Sequence, residues 1–145
     1  MANDQSVNVL NRLLLAEYES VISRLEQVDP YVSMLTADDR SQISRLLRDA
    51  QQHRRELSEM ILNLRGAPIP PRYSTVTGGM HYVRLSHLMP EVLADLRRLI
   101  SVYESAAGTS GNRDADALIS TIQQNYRRNL SALEKLQGLQ PAKAS

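Results

Sequence analysis

The spacing of apolar residues is the feature that most constrains how this sequence can fold. In four segments, apolar side chains recur mostly at steps of three and four residues, which places them on one face of an α-helix. We therefore predict four amphipathic helices and an all-α fold. The inward faces of these helices carry Val7, Leu10, Leu14, Val21, Leu25 and Val28; Ile43, Leu46, Ala50, His53, Leu57, Ile61 and Leu64; Leu93, Leu96, Leu99, Ile100 and Tyr103; and Leu118, Ile122, Tyr126, Asn129, Leu133 and Leu136.

Residues with strong local preferences mark the predicted helix ends. Pro30 ends the first helix, which begins near Ser6, because proline disfavours the α region for the residue before it. Asp38 lies in the first turn of the second helix, where a carboxylate favours the helix dipole. Gly66 and Pro68 end that helix. The third helix covers about Ser86 to Ala107, and the fourth runs from about Asp114 to Gly138.

A segment without helical periodicity separates the second and third helices, from Gly66 to about Ser86. A connection of about 20 residues is uncommon inside a compact domain unless the topology requires it. A bundle with one long crossover does require it, because the extended chain can run the length of a helix and let two successive helices lie parallel. We predict an antiparallel four-helix bundle with a long crossover between helices two and three. Residues 1–140 form this single domain, and 141–145 form a loose tail.

Composition excludes several classes of protein. The sequence has no cysteine, so it can form no disulfide, thiolate metal site or cysteine nucleophile. The formal net charge of +1 indicates neither a strongly basic nucleic-acid binder nor an acidic disordered tail. No apolar run approaches the length of a membrane span, and Met1 to Asp4 does not open a secretory signal. We expect a cytoplasmic protein without a membrane partner.

Several polar residues lie on the predicted apolar faces. Glu17 falls where a leucine is expected in the first helix, and His53 has the same position in the second. An ionised carboxylate is costly to bury alone, so a hydrogen bond, a cation or a metal ion must satisfy it. Both residues lie about half way along their helices, as do Tyr126 and Asn129 in the fourth. We predict a core polar cluster of Glu17, His53, Tyr103, Tyr126 and Asn129.

Two stretches of the sequence resemble a known family. The run Leu10-Asn11-Arg12-Leu13-Leu14-Leu15-Ala16-Glu17 resembles the first helix of bacterioferritins and related ferritin-like proteins, in which the glutamate of this run is a di-iron ligand. His53 and the run Ile61-Leu62-Asn63-Leu64-Arg65-Gly66-Ala67-Pro68 are similar to that family's metal-binding histidine and the end of its second helix. The second half of the chain is similar only in length, loop placement and apolar period. The resemblance implies a ferritin-like bundle in which Glu17 and His53 are metal ligands.

The other ligands that the resemblance implies are missing from this sequence. A di-iron site of this kind uses four carboxylates and two histidines, with a Glu-x-x-His motif on each of two helices. Ala50 stands at the glutamate of the first motif, and the run Tyr126-Arg127-Arg128-Asn129 stands at the second. Leu99 stands where the third helix would supply a glutamate, and the nearest carboxylates, Asp95 and Glu104, are predicted on other faces. We expect no catalytic residue.

Two interpretations of Glu17 and His53 stay open. In the first, they form a buried hydrogen-bonded pair, and the protein is a non-catalytic structural or interaction module with a degenerate di-iron site. In the second, they hold a single iron or another divalent metal in an iron-handling protein or oxidase. Gln51 stands where the resemblance implies the haem-binding methionine, so we expect no haem.

Apolar residues outside the inward faces predict self-association. Leu13, Leu15 and Leu62 lie outside those faces. Ferritin-like proteins commonly form dimers through the outer faces of their first two helices, which the resemblance extends to this chain. We therefore predict a homodimer.

The arginine doublets in the second, third and fourth helices would suit a nucleic-acid partner. Compensating acids weigh against that reading. Arg45 with Asp49, and Arg55 with Glu59, are four residues apart, as expected for ion pairs on a solvated helix face. The sequence therefore does not favour nucleic-acid binding.

Overall fold

The computed structural model describes residues 2–25, 37–71 and 85–138 of the chain. Within these ranges there are five helices and no strand, which confirms the all-α prediction. Residues 72–84, in the predicted crossover, lie outside the described residues, as do Val28, Pro30 and the predicted tail 141–145. The helices are α1 (Ala2–Tyr18), α2 (Val21–Leu25), α3 (Ala37–Asn63), α4 (Leu85–Ala106) and α5 (Arg113–Leu136).

The directions of the four long helices follow from contacts at their ends. The Asn3 side chain, at the start of α1, donates to the carbonyl oxygen of Leu64, just beyond the end of α3. The Gln5 side chain donates to the carbonyl oxygen of Thr109, beyond the end of α4. α1 is therefore antiparallel to both α3 and α4, and these two run in the same direction. A short turn over 107–112 reverses the chain into α5, which packs against α3 and α4.

The predicted first helix is wrong in one respect, because the structure divides it into α1 and α2. Ser20 Oγ and the Val21 backbone N–H both donate to Oδ2 of Asp95, at 2.7 and 3.0 Å. Asp95 lies in α4 and is only 8% exposed. Its burial is tolerated because Ser20, Val21 and the Arg98 guanidinium satisfy both carboxylate oxygens.

The core contains most of the predicted inward residues, with two corrections. Leu13, predicted on the outer face, is 1% exposed, because α1 packs against α3 and α4 at once and needs a wide apolar face. Leu136, predicted inward, is 41% exposed because it ends α5. Leu62 is 59% exposed. The homodimer stays a prediction. Leu13 no longer supports it, because its side chain is buried, whereas the exposed Leu62 still does.

The end of α3 combines a left-handed residue with a close helix approach. The N–H of Arg65 donates to Leu62 and the N–H of Gly66 donates to Ile61, both at 2.9 Å, and Arg65 has φ of 64°. This pair of bonds is the Schellman motif, whose left-handed position favours glycine. Gly66 is needed for a different reason, since a Cβ there would lie 2.5 Å from a methyl group of Val7.

Two substitutions at this helix end should change stability in opposite directions. Gly66→Ala is expected to lower the free energy of unfolding by about 1–3 kcal/mol, because the new methyl group overlaps Val7. Arg65→Gly is expected to raise it by about 0.5 kcal/mol, because glycine adopts the left-handed conformation without a Cβ clash. Urea unfolding followed by circular dichroism measures both changes. A loss of stability in both variants would contradict this description of the helix end.

Candidate functional site

A buried carboxyl group, that of Glu17, lies at the centre of the helices. Its side chain is 1% exposed. The Tyr103 hydroxyl donates to Oε2 at 2.6 Å, and the Tyr126 hydroxyl lies 2.6 Å from Oε1 and 2.8 Å from Oε2. Because α4 supplies Tyr103 and α5 supplies Tyr126, the carboxyl group ties three helices together.

Helical phase places these three residues in the core. Glu17 lies one turn beyond Leu13 on α1, Tyr103 lies four residues beyond Leu99 on α4, and Tyr126 lies four residues beyond Ile122 on α5. Both tyrosine side chains are fully buried, and their ring centroids are 5.9 Å apart. Each of these polar side chains therefore lies on the apolar face of its helix and is buried. Its polar atoms need hydrogen-bond partners inside the core.

His53 contacts this group through Tyr126. The centroids of the His53 and Tyr126 rings are 4.5 Å apart, and the rings meet edge to face at 79°. His53 is 4% exposed, and its Nδ1 has no hydrogen-bond partner among the residues that the structure describes. The predicted Glu17–His53 pair is not formed, because Tyr126 gives its hydroxyl to Glu17 and its ring to His53. Glu17, His53, Tyr103 and Tyr126 are termed the Glu17 cluster below.

Burial keeps a proton on the carboxyl group of Glu17 to an unusually high pH. Desolvation raises the pKa of Glu17 to about 7, although the hydrogen bonds from Tyr103 and Tyr126 and the charge of Arg54 act to lower it. Desolvation and the Glu17 carboxylate raise the pKa of both tyrosines well above its usual value. The two phenols therefore stay protonated and donate, while Glu17 exchanges a proton near neutral pH.

Burial has the opposite consequence for His53. Desolvation lowers the pKa of His53 to about 4, and the negative charge of Asp49 opposes this change only in part. His53 is therefore neutral at pH 7, with a buried ring nitrogen available as a donor or an acceptor.

Asn129, predicted in the same cluster, belongs to a neighbouring network between α3 and α5. Its Nδ2 donates to Asp49 Oδ2 at 3.0 Å and to Asn125 Oδ1 at 3.0 Å. Its Oδ1 accepts from Gln42 Nε2 at 3.0 Å, and Asn125 Nδ2 donates to the same Asp49 oxygen at 3.0 Å. The five predicted residues thus divide between the Glu17 cluster and this Asp49 network.

Sequence reasoning missed Asp49 as an inward-turned acceptor. The sequence suggests an ion pair with Arg45, four residues earlier on α3, but the carboxylate accepts from two amides of α5 instead. The spacing of Asn125 and Asn129 at i and i+4 was the available signal, because it puts two amide groups on one face of α5.

The Glu17 cluster can hold one proton and donate or accept hydrogen bonds, all inside the core. The described residues contain no group of three or more His, Cys, Asp or Glu side chains that could hold a metal ion. The candidate ligand atoms within the cluster are the two oxygens of Glu17, which accept from phenols, and the nitrogens of His53.

No family model, curated protein or solved structure matches this chain. Within the described ranges, no helix is long and apolar enough to cross a membrane. The fold and the site define an all-α protein with a closed, proton-binding centre. Its function is therefore inferred from its own side chains.

Proposed function

We propose that this protein is a non-catalytic, ferritin-like four-helix bundle with a degenerate di-iron site, acting as a structural or interaction module. One observation carries the proposal: the hydroxyls of Tyr103 and Tyr126 lie 2.6 Å from the two oxygens of Glu17. These oxygens are the atoms that would bind metal in the family that the sequence resembles. In this chain they accept hydrogen bonds from phenols.

The chemistry of the Glu17 cluster supports a structural role. Short hydrogen bonds to a carboxylate are among the stronger ones in proteins, and they fix the relative positions of the groups they join. Here they join α1, α4 and α5 at a buried point. A carboxyl group enclosed in this way helps to fix the register of the helices and is inaccessible to substrates.

The helix directions support the bundle part of the proposal. α1 and α5 each pack against both α3 and α4, and α3 runs parallel to α4. Two successive parallel helices need a connection as long as a helix, which is the arrangement of ferritin-like bundles with one long crossover.

A second candidate function is a mononuclear metal site at Glu17 and His53. The buried Nδ1 of His53, which has no hydrogen-bond partner in the described part of the chain, favours it. His53 is also neutral at pH 7, as a metal-binding imidazole must be. This function requires Tyr126 to release Glu17, since the phenol occupies both carboxyl oxygens.

Elemental analysis of protein purified without chelator separates the two functions. We expect substoichiometric metal and no iron(II) oxidation above the buffer rate. His53→Ala tests the ligand directly, and Gln52→Ala, its exposed neighbour on α3, is the matched control. One metal ion per chain that is lost in His53→Ala and kept in Gln52→Ala would overturn the non-catalytic proposal.

A further inference from the structure

A groove follows the antiparallel contact of α3 and α5. Near the start of α3 it has a volume of about 1010 Å³, and it continues into a second depression of about 530 Å³. Both parts are lined by Gln42, Arg45, Arg48 and Ala132, so they form one continuous surface, here termed the α3/α5 groove.

Basic side chains line both walls of the α3/α5 groove. Arg40, Arg45 and Arg48 come from α3, Arg128 and Lys135 come from α5, and all five are exposed. Among them, Arg45, Arg48, Arg128 and Lys135 make no ion pair with any described residue. The groove therefore concentrates positive charge, although the net charge of the whole chain is only +1.

The two acids in the lining, Asp38 and Asp49, are outnumbered by its five cations. The predicted Arg45–Asp49 pair is absent from the described residues, because Asp49 turns to the amides of Asn125 and Asn129. The other acid in the lining, Asp38, lies in the first turn of α3, where its charge interacts favourably with the helix dipole.

Arginines at the contact between α4 and α5 form ion pairs across it. Arg97 pairs with Glu134 at 3.0 Å, and Arg127 pairs with Glu104 at 3.8 Å. Arg127 and Arg128 are adjacent in sequence, yet one is paired toward α4 and the other lines the α3/α5 groove. The excess positive charge is thus a property of this groove and not of the whole surface of α5.

We infer that the α3/α5 groove binds a small anion that carries several phosphate groups; this names a ligand for the interaction module proposed above and so rests on that proposal. Four of its five exposed cations are arginines, whose planar forks bind phosphate oxygens in pairs. The hydroxyl-bearing side chains of Ser41 and Ser44 line the same wall.

The lining also limits what else the groove recognises. Its apolar residues are Ala37, Ala132 and Leu136, so little of a ligand's apolar surface is bound. None of the described lining residues is aromatic, which removes the base stacking on which single-stranded nucleic-acid binding depends. Charge and hydrogen bonding to phosphate are what the groove offers.

Calorimetric titration with inorganic tripolyphosphate at low salt tests the inference. The protein is first treated with chelator and dialysed, so that phosphate cannot bind through a metal ion. The triple variant Arg45→Gln/Arg48→Gln/Arg128→Gln is expected to bind about tenfold more weakly, or worse. The control variant Arg55→Gln/Arg97→Gln/Arg127→Gln loses the same charge outside the groove and is expected to change affinity less than about threefold.

Each further outcome supports or overturns the assignment. Equal affinity for ATP and tripolyphosphate supports recognition of phosphate alone. Failure of wild-type protein to bind tripolyphosphate, an equal loss in both triple variants, or tighter binding of hexaglutamate or duplex DNA overturns it. Metal content is read separately, on protein purified without chelator. One metal per chain at Glu17 and His53 overturns the non-catalytic function, whereas failure of metal-free protein to bind tripolyphosphate overturns only the assignment of the groove.

Discussion

The double variant Tyr103→Phe/Tyr126→Phe is expected to lose about 3 kcal/mol or more of its free energy of unfolding at pH 8. At that pH Glu17 is mostly ionised, because its pKa is about 7. The two substitutions remove the hydroxyls that donate to Glu17. The carboxylate must then take up a proton or admit water into the core, and either response costs free energy. Urea unfolding at pH 8 measures the loss.

The same two substitutions in a Glu17→Leu background provide the control. There the phenolic hydroxyls have lost their acceptor, so replacing them with phenylalanine is expected to raise stability. The sign of the effect should therefore reverse between the two backgrounds, which is a large coupling energy. Equal losses in both backgrounds would show that the hydroxyls do not bind Glu17.

Helical periodicity, together with the residues that mark helix ends, was enough to place α3, α4 and α5. The residues predicted inward on α3 from Ile43 to Ile61 are the residues that the structure buries. Such prediction succeeds because every turn repeats the same information: a helix of 27 residues presents its apolar face many times, and one irregular position does not change the phase.

The division of α1 from α2 could not be predicted from the same pattern. It depends on hydrogen bonds from Ser20 and Val21 to Asp95, residues about 75 positions apart in the chain. No local preference near Ser20 indicates which carboxylate of a later helix will lie beside it. Long-range partners of this kind are decided by tertiary packing.

The candidate site shows the same limit at the level of single atoms. Helical phase identified Glu17, His53, Tyr103 and Tyr126 as inward residues, and the structure brings these four together. It did not determine that Tyr126 lies between Glu17 and His53. A tyrosine hydroxyl reaches farther from its helix than an imidazole does. Tyr126, rather than His53, is therefore the hydrogen-bond partner of Glu17.

Opposite pH dependences are expected for His53→Gln and Glu17→Gln. Glu17 has a pKa of about 7 in the folded protein, against 4.5 for the free side chain. Between these values the folded state binds the extra proton, so Glu17 lowers stability as pH rises. His53 has a folded pKa of about 4 against 6.5, so here the unfolded chain binds the extra proton. His53 therefore lowers stability as pH falls.

In the wild type these two contributions cancel between pH 4.5 and 6.5, where both groups act. With His53→Gln only Glu17 remains, and the free energy of unfolding should fall by about 1.4 kcal/mol per pH unit relative to wild type. With Glu17→Gln the relative slope should have the same size and the opposite sign. Burial is the largest cause of both shifts, Arg54 acts to lower both pKa values, and neither Glu17 nor His53 is among the causes of the other's shift. Urea unfolding at several pH values measures the slopes, and parallel profiles for the two variants would refute the assigned protonation states.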